Sequence, residues 1–169
     1  MEGEYNIFWK KKDLEGEYTF FEMDTLTIEQ YLHQLKIPAK VLAMDEFLNV
    51  ENRSDSGFYI VNNEPSTMDG LHWMAIVLSD SFQPNEFFDS FGENPNFYNQ
   101  KMADILGSNC IYNNKILQSD YSNICGLYCI YYLFKHKNDM SMSNITSVFS
   151  SNVVYNDNLV VRWSEMCLL

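Results

Sequence analysis

The stretch Leu117–Phe134 limits what this chain can fold into more than any other. It reads Leu-Gln-Ser-Asp-Tyr-Ser-Asn-Ile-Cys-Gly-Leu-Tyr-Cys-Ile-Tyr-Tyr-Leu-Phe, polar and turn-forming at first and almost wholly apolar from Ile124. That switch predicts a loop feeding the N-terminus of a buried helix that runs to about Lys137, with Cys125 in its first turn. The first N–H groups of a helix lack internal partners, and the macrodipole places partial positive charge there. A thiol at that point has its thiolate stabilised, and the thiolate is the nucleophilic form of cysteine. With Gln118 upstream as a hydrogen-bond donor, the stretch suggests acyl transfer.

The rest of the chain is rich enough in apolar residues to surround such a helix. Of 169 residues 46% are hydrophobic and 15% aromatic, which suits one globular domain over 1–169. Its net charge of −12 argues against nucleic acid and anionic membrane as partners. Lys10-Lys11-Lys12 is the basic run, and solvated surface is its plainer reading. Neither a signal peptide nor a bilayer-spanning apolar run is expected from the sequence. The four cysteines (Cys110, Cys125, Cys129, Cys167) then point to free thiols in a reducing compartment.

Taken in order, residues 1–23 are aromatic and charged, with Asp13–Gly16 placed as the turn of a hairpin; their role is open. Thr27 and Gln30 suit a capping box for a helix at 27–36 that Pro38 closes, with His33 on its surface. Lys40–Val50 predicts a short strand and a helical turn. Phe58–Val61 is a strand, and a loop over 62–70 leads to His72–Leu78, a buried strand with a histidine at its mouth. Glu86–Phe91 is its hairpin partner. Residues 97–106 and 143–150 suit short helices, and Asn109–Tyr112 a strand. A last helix over 157–168 carries Leu159, Val160, Trp163 and Met166 on one face.

Three residues stand out for chemistry: His72, Asp89 and Cys125. In a hairpin of this size the start of one strand lies near the end of the next, so Asp89 can reach one ring nitrogen of His72 while the other faces the thiol. That is nucleophile, base and orienter. Gln118 and the backbone N–H of Cys125 would be the two oxyanion donors. Each has a plainer reading: a small core thiol, a structural histidine, turn chemistry, a surface loop glutamine. Singly those readings win; together, in this order and at element edges, the coincidence is harder to accept. Cys125 and Cys129 are four apart inside one helix, which makes zinc a poor expectation.

Gly70-Leu71-His72-Trp73-Met74-Ala75, Phe88-Asp89-Ser90-Phe91-Gly92 and Gln118-Ser119 with Cys125-Gly126-Leu127-Tyr128-Cys129 resemble the adenain-like cysteine proteases of viruses and virus-like transposons. The Ulp/SENP proteases, which remove ubiquitin-like modifiers, share that core. The likeness covers about 58–137. Seventeen positions from His72 to Asp89 and seven from Gln118 to Cys125 favour the adenain side. Asp at position 89 is the choice of the Ulp branch.

The resemblance implies an α+β papain-like fold, a mixed sheet packed against the nucleophile's helix and flanking helices. It implies His72 as general base, Asp89 as orienter, Cys125 as nucleophile and Gln118 as oxyanion donor, with Trp73 and Gly126 at the substrate. A peptide activator near Cys110 is one option, though a plain buried thiol is the stronger reading; a DNA cofactor is disfavoured by the charge. The expected activity is a thiol endopeptidase cutting beside glycine, with viral precursor proteins as substrates. Its expected place is the host cytoplasm or nucleus or the virion, not the secreted fraction. The alternatives are a deconjugating isopeptidase for ubiquitin-like modifiers, an acetyltransferase on the same fold, and a silent binding module.

Overall fold

The structure, a computed structural model, describes residues 10–12, 18–20, 23–80 and 82–168. Near the start β1 (Lys10–Lys12) and β2 (Tyr18–Phe20) pair antiparallel, Lys10 opposite Phe20. The pairing is that of the expected hairpin, with the lysine triplet as one of its strands. Its turn at 13–16 lies outside the described residues.

A five-stranded sheet forms the centre, in the order β3 (Ala39–Leu42), β4 (Gly57–Asn62), β5 (Trp73–Leu78), β6 (Glu86–Phe88) and β7 (Ile111–Tyr112). β3/β4 and β6/β7 are parallel, and β4/β5 and β5/β6 antiparallel. The sheet is therefore mixed and the fold α+β.

Strand alternation divides the core in two. On one face Ile60, Trp73, Ala75, Val77 and Phe88 meet α5 (Cys125–Lys137), which is flanked by α1 (Thr25–Gln34), α6 (Met142–Thr146) and α7 (Val153–Leu168). On the other, Tyr59, Val61, Met74, Ile76 and Phe87 pack against α2 (Met44–Leu48) and α4 (Gln100–Leu106). All six residues of β5 are buried, because helices cover the sheet on both sides. That explains the unbroken apolar run after His72. Among the described residues no helix is long and apolar enough to cross a membrane.

Several boundaries differ from the sequence reading, each for a local reason. α1 starts at Thr25, since the Asp24 carboxylate, not Thr27, caps it by accepting from Thr27 N–H at 2.7 Å. β6 stops at Phe88: the next amide, of Asp89, donates to the Asn113 side chain at 3.0 Å, not to a strand. The helix expected at 97–106 is two, α3 (Pro95–Tyr98) and α4, because the extended Asn99 ends one and caps the other. α7 begins at Val153, before the expected 157. Met166 is 79% exposed, and the buried side runs instead through Asn156, Asp157, Val160 and Trp163. Two buried polar residues at its start hide that helix from a hydrophobic pattern.

Candidate active site

His72 directly precedes β5 and Asp89 directly follows β6. The register that sets Ala75 opposite Phe88 brings these two ends together. The His72 backbone is held on both sides by Asn63, whose side-chain oxygen accepts from His72 N–H and whose N–H donates to His72 C=O, each at 2.9 Å. The ring packs against Phe91 and stacks on Tyr98, with centroids 5.0 and 5.7 Å away.

Asp89 is completely buried, and both its oxygens are fully engaged. Oδ1 accepts from His72 Nε2 at 2.6 Å and Phe91 N–H at 3.1 Å; Oδ2 accepts from Glu93 N–H and the Tyr98 hydroxyl, both at 2.9 Å. Four donors fill the sites of an ionised carboxylate, so its orientation is fixed. The turn that supplies two of them depends on Gly92. Its φ is +75°, and a Cβ there would lie 2.6 Å from the Lys115 backbone. Asn113 completes the frame, taking the Asp89 amide and donating to the Asp89 and Lys115 carbonyls at 2.7 and 3.3 Å.

Cys125 is the first residue of α5 and is 7% exposed. It lies beside the His72 ring, close enough for its charge to act on the imidazole. Because Nε2 is held by Asp89, Nδ1 is the nitrogen left for the thiol. Burial by itself would lower the pKa of His72, but the hydrogen bonds and charges of Asp89 and Cys125 outweigh it and raise it to about 9. At neutral pH the ring is therefore an imidazolium, set between the Asp89 carboxylate and Cys125. Cys129, one turn on, is fully buried, and burial pushes its thiol well up.

Gln118 is 1% exposed and is no surface residue. Its Oε1 accepts from the Ser90 hydroxyl at 2.7 Å and its Nε2 donates to the Ser122 carbonyl at 2.7 Å. The carbonyl fixes which end of the amide is nitrogen, since it can only accept. One of the two N–H bonds of Nε2 is used there. The Ser90 carbonyl also accepts from the amides of Leu117 and Gln118, so the acid's turn and the glutamine's loop are stitched together.

The two expected substrate contacts have structural surroundings of their own. Trp73 is 9% exposed and donates its indole N–H to the Met23 carbonyl at 2.7 Å. A Cβ on Gly126 would meet Met23 Cβ and Ile28 Cδ1 at 3.0 Å, so its small size lets α1 approach α5. Burial first, and Glu86 second, push the Cys110 thiol up to about 11, which leaves little thiolate there at neutral pH. Among the described residues no group of three His, Cys, Asp or Glu side chains is arranged to hold a metal, and all four cysteines are free.

Sequence reasoning passed over Asn63, Ser90, Tyr98, Asn113, Asn156 and Asp157. Ser90 lay inside a quoted motif without a role. Asn113, Asn156 and Asp157 are polar residues whose burial is visible only once the elements pack, and Asn63 and Tyr98 are half-buried residues whose contacts to His72 and Asp89 arise the same way. Neither a protein-family model nor a curated protein sequence matches this chain.

Proposed function

We propose that this chain is a cysteine endopeptidase of papain-like fold, adenain or Ulp type. One observation carries the reading: a single buried imidazole bonded to Asp89 through one nitrogen, with Cys125, the first residue of a helix, beside it. In the reaction the Cys125 thiolate attacks the carbonyl carbon of the scissile peptide. The developing oxyanion takes the Cys125 N–H and the second N–H of Gln118 Nε2. His72 gives its proton to the leaving amine as the C–N bond breaks, leaving a thioester. It then takes a proton from the water that attacks the thioester, and collapse of the intermediate releases the carboxylic acid product and restores the Cys125 thiolate beside the His72 imidazolium. Asp89 holds the ring and stabilises its charged form.

The substrate class rests on the resemblance: protein precursors, cut beside glycine, with viral structural proteins first among them. The test is fluorophore release from a Leu-x-Gly-Gly peptide under reducing conditions. Release by the protein and none by Cys125→Ala is the expected result. Equal release by both would overturn the reading, as would no release together with Cys125 alkylation no faster than that of Cys167.

A further inference from the structure

The mechanism leaves one buried acid unused. Asp157 in α7 is completely inaccessible, and no described cation pairs with it. A carboxylate in that position costs free energy unless donors converge on it. They do, and from the loop that carries Gln118. The Ser119 amide donates to both its oxygens, at 3.2 and 3.4 Å, and the Tyr128 hydroxyl donates to Oδ1 at 2.8 Å. The Ser122 hydroxyl lies nearby and donates to the Ser119 carbonyl at 3.1 Å.

Its neighbour in α7 acts on the other side of the glutamine. Asn156, also fully buried, donates to the Leu117 carbonyl at 3.0 Å and is itself fixed by the Ser150 backbone. The Tyr128 hydroxyl lies 3.0 Å from the same Leu117 carbonyl, and its single proton is shared between that carbonyl and Asp157. Successive residues of one helix thus grip the residues immediately before and after Gln118. Its orientation follows from that bracket, because Nε2 is aimed through Ser122, a member of the same loop.

We infer that Asp157 is a positioning residue, whose carboxylate holds residues 117–122 so that the Gln118 amide faces the reacting carbonyl at Cys125. This rests on the reading of Cys125 as an acyl-transfer nucleophile. The groups facing Asp157 are Tyr128 from α5 and Ser119 and Ser122 from the loop. Tyr128 is kept neutral, since burial and then Asp157 push its hydroxyl far up. Burial likewise raises Asp157 to about 6, against the hydrogen bonds of Tyr128, Ser122 and Ser119 that favour its charged form. Below that pH the carboxyl becomes a donor, and its grip on the Ser119 amide weakens.

The experiment compares the protein with Asp157→Asn, which keeps the shape of the protonated acid. Two reactions of Cys125 are followed from pH 4.5 to 8. Peptide cleavage needs the oxyanion donors; alkylation by iodoacetamide, a displacement at a tetrahedral carbon, does not. Cleavage by the variant should fall about 10–100-fold at pH 7.5 and lose an acid limb near pH 6 seen in the wild type. Alkylation should stay within about twofold. Unchanged cleavage would overturn the proposal, as would a parallel fall in both reactions, which marks damage to the Cys125 helix itself. Exchange of the Ser119 amide, read by NMR, tests the grip without any activity. If the wild-type protein cleaves nothing and Cys125 alkylates no faster than Cys167, the protease reading fails while this arm still decides: faster exchange in the variant supports the clamp, and equal exchange removes it.

Discussion

His72 Nε2 lies 2.6 Å from Asp89 Oδ1, and the carboxylate it meets is sealed from solvent with four donors on its two oxygens. A carboxylate so enclosed cannot turn away from the ring. Replacing it by an amide of the same shape, Asp89→Asn, keeps the packing but removes the charge that favours the imidazolium. Cleavage should fall by about 10²–10⁴, and the His72 titration, followed by NMR, should move down from about 9.

The raised pKa of His72 also sets a direction for stability. The folded state binds this proton more tightly than the unfolded chain, whose value is near 6.5. Its contribution is complete below pH 6.5 and is lost as pH rises through about 9. Urea unfolding should show a stability loss of about 1–3 kcal/mol across that window, and His72→Gln should flatten it.

Tyr98 tests how far the geometry of the acid matters. Its hydroxyl donates to Asp89 Oδ2 while its ring stacks on His72 at 22° between planes. Tyr98→Phe removes the donor and keeps the ring, and should lower kcat about tenfold, as expected for a hydrogen bond to a charged group. Tyr98→Ala loses both and should cost more. A phenylalanine variant as active as the wild type would make the hydroxyl irrelevant to the acid.

Gly92 is the residue on which the acid's turn depends. Gly92→Ala must hold a side chain at a φ of +75° with its Cβ 2.6 Å from the Lys115 carbonyl. The left-handed backbone alone costs about 1–2 kcal/mol, and the displaced Lys115 backbone adds to it. Chemical denaturation should register the loss. Activity should drop with it, because the Glu93 amide that braces Asp89 follows directly.

Much of this frame was legible in the chain. The apolar run after Ile124 marks α5 to within a residue, since a helix buried by a sheet and flanking helices has no polar face to blur it. His72 and Asp89 at the ends of two consecutive strands follow from the hairpin, whose geometry is local. What hydrophobic patterning missed is polar and buried. Asn156 and Asp157 interrupt the apolar stripe of α7, so the pattern starts the helix late; the partners that tie them to the Gln118 loop lie 39 and 38 positions away.

The sequence by itself determined the order of the chemistry: a thiol at a helix start, a histidine and an acid at strand ends, and a glutamine upstream. Each depends on contacts within one element or one hairpin. Only the tertiary structure decided how these groups are held, with Tyr98 and Asn113 closing on Asp89 and α7 closing on the Gln118 loop. The reason is physical. A buried polar side chain is stabilised by whichever partner packing brings to it, and that partner is fixed by the whole fold, not by neighbours in the chain.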